Sequence, residues 1–296
     1  MKSKFKYYAA AFSSFIIWGF ISFCLKPLHI YASLDILFFR IFFSAGIISV
    51  VTFIFRSKNF REQLSVFKNL SKQLQLKTII LTAVGGLVLT ANWFFYIYVM
   101  NNISIKTASF AYLVCPILTA ILAGFILKEK LSPIQWIAVA ISAISCAILG
   151  INSAVELSYS LIVALSYAFY LISQRRNIYI EKFVILTFQM LFSALILLPF
   201  FPSFSTQIPN EISFYILIII LAVVFTIIPL FLNLIALKAI DSSTMGILLY
   251  INPILNFTIA FLYFNETTSY TQLVAYGFIL ISVFVFNWKV IFKKTN

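Results

Sequence analysis

The sequence predicts an all-α integral membrane protein whose ten transmembrane helices form two inverted five-helix repeats. Three observations predict it. The first is composition: 62% of the 296 residues are hydrophobic and 10% are charged, against roughly 45–50% and about 25% in soluble domains. A soluble globule has too little interior to hide that much apolar surface, so lipid must be the solvent for most of the chain. The second is a series of apolar runs close to the ~20 residues a helix needs to cross ~30 Å of hydrocarbon. The third is an internal repeat.

The runs fall at 7–26, 34–55, 78–100, 105–127, 132–150, 157–174, 183–201, 213–237, 242–264 and 270–290. Polar, Pro and Gly breaks separate them: Lys26-Pro27, the charged stretch 56–77, Asn101-Asn102, Lys128-Glu129-Lys130, Gly150 to Ser153, Arg175-Arg176, Pro202 to Pro209, Lys238 to Asp241, and Asn265 to Ser269. Unpaired backbone groups are not tolerated in lipid, and evenly apolar runs of this length suit helices rather than the ~10-residue alternating strands of a barrel. Lys2, Lys4 and Lys6 before the first run resemble a signal peptide. The run is too long for one and no small-residue cleavage site follows, so it is read as the first membrane helix.

The net charge of +13 reads as topology and attraction to anionic lipid, not as nucleic-acid binding. With the N-terminus inside, Lys2, Lys4, Lys6, Arg56, Lys58, Arg61, Lys68, Lys72, Lys77, Lys128, Lys130, Arg175, Arg176, Lys182, Lys238, Lys289, Lys293 and Lys294 all fall on the cytoplasmic side. Lys26 and Lys106 fall outside with Glu156, Glu211 and Glu266, and Arg40 lies within a span. Both termini are therefore expected in the cytoplasm of a bacterial cell, with the chain in the inner membrane.

At a spacing of 137 residues, Ile103, Thr107, Pro116-Ile117-Leu118, Ala123, Glu129, Ser132 and Gln135 recur as Ile240, Thr244, Pro253-Ile254-Leu255, Ala260, Glu266, Ser269 and Gln272. A weaker match sets Phe43-Ser44-Ala45 on Phe192-Ser193-Ala194. The units are 1–150 and 151–296. Five spans per unit is odd, so the second enters from the opposite side, and Glu129 and Glu266 face opposite compartments. Inverted repeats of this kind place a substrate site near the midplane, between the halves.

Polar side chains within the spans are the site candidates. Arg40 either snorkels to the outer headgroups or faces inward to bind substrate anionic groups or bundle carbonyls. Asn92 and Tyr96 share a helix face at i,i+4 beside Trp93, as interhelical glue or as cavity lining. Pro116 and Pro253 are read as mid-helix, each freeing a carbonyl, either for a packing kink or for a hinge at the site. Asn252 and Asn256 flank Pro253, Pro229 and Asn233 do similar work in the eighth span, and Gln189 occupies the repeat position of Arg40. Trp18, Tyr112, Tyr167, Tyr170 and Tyr250 could supply an aromatic lining. Glu129 and Glu266, at span ends, are read as loop braces.

No Gly-Lys-Ser/Thr nucleotide loop and no His-Glu-x-x-His motif occurs, and His29 is the only His; no ATP-driven step, metal or cofactor is expected. Cys24, Cys115 and Cys146 lie apart in apolar runs, which argues against disulfides. A membrane-embedded enzyme would need clustered acids or His near one surface. Asp35, near an outer edge, is the only carboxylate within a span, so coupling through a deep carboxylate is not expected. Ten helices can enclose a path alone, which favours a monomer.

The chain also resembles the EamA branch of the drug/metabolite transporters, and within it the RarD type. The resemblance rests on Trp18-Gly19, Asp35-Ile36-Leu37 with Arg40, Ala91-Asn92-Trp93-Phe94-Phe95-Tyr96, Pro116, Lys128-Glu129-Lys130-Leu131-Ser132-Pro133, Ile228-Pro229-Leu230 and Leu249-Tyr250-Ile251-Asn252-Pro253. It departs from the usual pattern at Phe39-Arg40 for His-Arg, at Cys115 for Asn, and at Asn265-Glu266 for Gly-Glu. The resemblance implies two inverted five-helix units and a small-molecule carrier, often an exporter. An amino-acid or nucleoside-type uptake or exchange carrier is the alternative, with a lipid scramblase or a non-transporting scaffold behind it.

Overall fold

The computed structural model describes residues 2–128, 130–201, 208–236, 239 and 248–288. Glu129, Lys238, Asp241, Lys289, Lys293, Lys294, the start of the expected ninth span and the end of the tenth lie outside the described residues. The regular structure of the described residues is helical throughout, with a 3₁₀ turn at Pro27–Ile30 and the α-helices α1 (Lys2–Gly19), α2 (Ile21–Leu25), α3 (Ser33–Val50), α4 (Ser57–Asn69), α5 (Lys72–Asn102), α6 (Ile105–Leu127), α7 (Pro133–Asn152), α8 (Ala154–Arg176), α9 (Lys182–Leu197), α10 (Ile212–Ala222), α11 (Ile228–Ala236), α12 (Ile251–Leu262) and α13 (Tyr270–Phe286). Among them, seven stretches are long and apolar enough to cross a membrane: Phe5–Ile30, Ser33–Phe55, Lys72–Asn102, Ile105–Leu127, Pro133–Ile151, Ala154–Arg176 and Ile212–Asn233. α9, α12 and α13 are shorter apolar helices. Phe125, Ile151, Leu195, Leu262 and many other large apolar side chains stand exposed on the outside, a surface suited to hydrocarbon rather than water.

The helix ends follow local chemistry. Ser132 and Gln135 form a capping box at the start of α7, and Ser269 and Gln272 form the same box at the start of α13, 137 residues on. The residues that close the preceding helical segments, Lys128 (φ 58°) and Asn265 (φ 51°), are both left-handed. Left-handed backbone favours Gly and tolerates Asn best among the rest, which suits Asn265 to this position. Two π-helical turns, Val51–Phe55 and Val223–Ile227, interrupt the second and eighth runs. Pro253 stands in the first turn of α12 rather than mid-helix, a position where a missing N–H leaves no intrahelical bond unmade. Pro116 is inside α6, as expected.

Two elements extend beyond the expected runs. α5 starts at Lys72, capped by Ser71, whose hydroxyl accepts from Leu74 N. The charged stretch after α3 is not a bare loop: it forms α4, whose residues are all at least partly exposed.

The packing pairs helices in a regular way. α7 lies along α13, α6 against α12, and α3 against α9. The contact of α6 with α8 is matched by α1 with α12, that of α5 with α8 by α1 with α11, and that of α5 with α9 by α3 with α10. Each partner in the second set lies five runs from its counterpart, before or after it. Loops gather at two ends. At one, Lys26 pairs with Glu266 (3.7 Å), Tyr31 donates to Glu211 (3.0 Å) and Gln272 donates to Glu156 (2.9 Å). At the other, Arg56 pairs with Glu181 (2.8 Å) beside Gln63, which accepts from Glu181 N (2.9 Å).

Candidate functional site at the centre of the bundle

A small central cavity of about 50 Å³ is lined by Trp18, Ile21, Arg40, Leu89, Trp93, Tyr96 and Tyr112 from the first half of the chain. Tyr167, Tyr170, Phe225, Thr226, Leu230, Leu249 and Asn252 line it from the second. Among the described residues Arg40 is its one charged side chain, and it is 2% exposed. Its position in the middle of α3 turns it into the bundle, so the snorkelling alternative is not the conformation seen. The guanidinium lies 4.2 Å from the Trp93 ring centroid, a face-on cation–π contact. Nε and Nη2 both donate to Thr226 Oγ1, at 3.1 and 3.0 Å. Nη1 is buried without a hydrogen-bond partner. Guanidinium keeps its charge in proteins, and among the described residues the cavity wall offers it no carboxylate.

Thr226 is presented by the π-helical turn Val223–Ile227, and its hydroxyl donates to Leu221 O (2.9 Å) while accepting from Arg40. Pro229 explains the next contact. Without an N–H it cannot bond the carbonyl four residues back, and that carbonyl, Phe225 O, accepts from Trp18 Nε1 at 2.9 Å. Asn256 Nδ2 then ties α12 to α1, donating to Trp18 O (3.3 Å) and Asn252 Oδ1 (2.8 Å). On the opposite wall Tyr96, Tyr112, Tyr167 and Tyr170 form a continuous aromatic row, with centroids 5.3, 5.4 and 5.8 Å apart.

The structure thus brings Trp18, Arg40, Trp93, Tyr96, Tyr112, Tyr167, Tyr170 and Asn252 together, and leaves the other sequence candidates off the wall. Asn92 is fully buried behind it. It donates to Val163 O (3.0 Å) and Ser166 Oγ (3.1 Å) and accepts from Tyr112 OH (3.1 Å), so it orients Tyr112. Asn256 braces Asn252 and Trp18 as above. Gln189 is fully buried against Gly85 and Gly86, between α5 and α9. Tyr250 packs into a separate cluster with Phe110 and Tyr276. Pro116, Asn233 and Pro253 do not reach the cavity. Glu266 is a brace: its carboxylate accepts from Ile105 N (2.9 Å) and Lys106 N (3.2 Å), neutralising the first turn of α6. Lys106, buried beside it, donates to Thr267 O and to Thr268 Oγ1 (3.1 Å).

Thr226 and Phe225 are the functional contacts that sequence reasoning missed. A Thr in an apolar run is common, and its partner is 186 residues away. The available signal was Pro229, which frees a carbonyl at position 225.

Comparison with known proteins agrees with this architecture. The profile of the EamA-like transporter family matches residues 5–151 and 155–288. Protein RarD of Escherichia coli K12 is 28% identical over 293 residues, covering 96% of this chain and 94% of its own length. Protein RarD of Streptomyces exfoliatus is 25% identical, over 94% and 86%. An uncharacterized transporter of Pseudomonas aeruginosa is 27% identical, over 95% and 93%. One solved crystal structure superimposes with a TM-score of 0.63 over 96% of this chain and 98% of its own, at 17% identity, which shows a shared fold. A bundle of apolar helices closed around a buried cation is thus joined to a family match along nearly its whole length, and the chain belongs to the EamA-like transporter family.

Proposed function

We propose that the protein is a secondary transporter that moves a small metabolite or drug across the inner (plasma) membrane by alternating access, working as a monomer. The direction proposed is export, as the family resemblance implies. The observation that carries the reading is Arg40: a buried cation without a carboxylate beside it, at the centre of a wall to which both halves of the chain contribute. A buried charge without a counter-ion is costly, and an anionic group on the substrate would relieve that cost. The aromatic row suits the flat or apolar remainder of the solute.

The inverted repeat supports the mechanism. Trp18 and Ile21 correspond to Tyr167 and Tyr170 at the 149-residue offset of the weaker match. Leu89, Trp93 and Tyr112 correspond to Thr226, Leu230 and Leu249 at the 137-residue offset, and all ten line the cavity. The matched helix pairings follow the same correspondence. Ten spans, with the two five-span units upside-down to one another, account for these matches and for loops gathering at two ends. The family profile's two stretches fall on the same units. At about 50 Å³ the cavity is far smaller than the ~300–1,000 Å³ of ligand sites, so a solute enters only when the walls separate. Rocking about the pseudo-two-fold axis would open one end while closing the other.

Uptake by proteoliposomes of a metabolite panel, sorted into anionic, neutral and cationic solutes, tests the reading. Anionic solutes should be transported and should exchange. Arg40→Ala should lower flux by roughly 10- to 100-fold, the loss of a charged hydrogen bond worth about 1.5–3 kcal/mol, while the protein stays in the membrane. Lipid flip without solute flux, or full activity in Arg40→Ala, refutes it.

A further inference from the structure

We propose that the cavity beneath α4 holds one acyl chain of an anionic phospholipid, with its phosphate bound by the basic edge of that helix. This second cavity is about 350 Å³ and is walled almost wholly by apolar groups, among them Phe60, Leu64 and Phe67 of α4, Ala83 of α5, and Val184 and Phe188 of α9. A dry apolar space of this size, about ten times a water's share of liquid volume, accepts hydrocarbon and rejects water. Leu64, Ile79 and Phe188 on its rim are 38, 55 and 42% exposed. It therefore opens sideways between apolar helices, toward the hydrocarbon.

α4 is built for the boundary. Phe60, Leu64 and Phe67 recur at i, i+4 and i+7 and form one apolar stripe. Phe60 and Phe67 pack on Ile180, Val184 and Ile185, yet no residue of α4 is buried. Protein covers the stripe only in part, and the rest of its cover is the cavity. Arg61 and Lys68 are exposed along one edge of that stripe. Lys58, Lys72 and Lys77 add charge to the same stretch, and Glu62 is its one acid. A basic amphipathic helix lies in the interface plane, and four or more Lys or Arg beside a membrane segment attract anionic headgroups. Charge and cavity together select a lipid that is apolar in its tail and negative at its head. The inference is independent of what the central cavity carries.

Native mass spectrometry of the purified full chain, with phosphatidylglycerol and phosphatidylcholine supplied in equal amounts, tests it. Wild type should retain one phosphatidylglycerol in at least several-fold excess over phosphatidylcholine. Arg61→Gln/Lys68→Gln, changes at exposed positions that leave packing intact, should abolish the preference. Ala83→Trp, which fills the cavity, should remove the bound lipid. Equal retention of the two lipids by wild type, an unchanged preference in the double variant, or an undiminished adduct in Ala83→Trp overturns the proposal. Glycerophosphate should give no adduct at the same concentration; if it binds as well as the lipid does, the acyl-chain assignment is wrong.

Discussion

Arg40 and Thr226 set the chemistry of the central cavity. The two hydrogen bonds to one hydroxyl hold the guanidinium flat on Trp93 and leave Nη1 for another acceptor. Thr226→Val keeps the shape but leaves Nε and Nη2 without their acceptor, which costs about 1–3 kcal/mol at a buried donor. Transport by Thr226→Val should fall about tenfold or more, and Thr226→Ser should recover most of it; initial rates in proteoliposomes read both. Asn92→Ala should act more mildly, because Asn92 touches Tyr112 and not the cavity; its loss would show as a raised KM with membrane insertion unchanged. Arg40 was legible in the sequence because a cation in an apolar run is rare. The roles of Asn92 and Asn256 were not, because an Asn in a span reads the same whether it lines a cavity or ties helices behind it. Depth and helical face do not separate those cases; only the partner helix does.

At the scale of elements, close approach of α5 and α9 depends on two glycines with different tolerances. A Cβ on Gly86 would meet the backbone of Gln189, its O at 3.0 Å and its Cα at 3.3 Å, whereas a Cβ on Gly85 would meet the far end of the Gln189 side chain. Backbone cannot yield locally and a flexible amide can. Gly86→Val should therefore destabilise by about 1–3 kcal/mol, as overpacking does, and Gly85→Ala by less; thermal unfolding in detergent ranks them. Pro229 acts on a different element. Pro229→Ala restores the N–H that claims Phe225 O, which competes with Trp18 Nε1 and removes the reason for the wide turn that carries Thr226. Its flux should drop in parallel with that of Thr226→Val, and the double variant should be little worse than either alone. The seven long apolar spans were legible because length and hydropathy are set by the solvent. α4 was not, since its charges read as a break and its Phe60, Leu64 and Phe67 stripe spans only about two turns. The register of Pro253 was also missed, because hydropathy marks a run and not where its helix begins.

At the scale of the whole molecule, the proposed repeat accounts for ten of the fourteen lining residues, which fall in five pairs, and leaves Arg40, Tyr96, Phe225 and Asn252 without a counterpart on the wall. The paired lining positions are matched by position and not by identity: aromatic faces aromatic at Trp18 and Tyr167, whereas Leu89 faces Thr226. The decisive break is Arg40, whose counterpart Gln189 is withdrawn between α5 and α9. On the proposed alternating access, matched walls would make the two openings similar in energy, and Arg40 would offer both the same contact for a substrate. Contacts join the halves at both ends, Lys26 to Glu266 and Tyr31 to Glu211 at one, Arg56 to Glu181 at the other; on the proposed alternating access, opening an end would part them. This geometry requires that equivalent loops of the two units lie on opposite faces of the membrane. Lys130 and Thr267 are such a pair, 137 residues apart and both exposed. Cys24 and Cys115 are buried, so a background with Cys146→Ala isolates a reporter thiol. In intact cells an impermeant maleimide should label Thr267→Cys and spare Lys130→Cys, and permeabilisation should expose the second. Labelling of both from outside, or of neither, is incompatible with five spans per unit. The positive residues at the Arg56 end and their scarcity at the Glu266 end place the Arg56 end in the cytoplasm on the positive-inside rule, an orientation we propose, so the same experiment that tests the inversion also tests it.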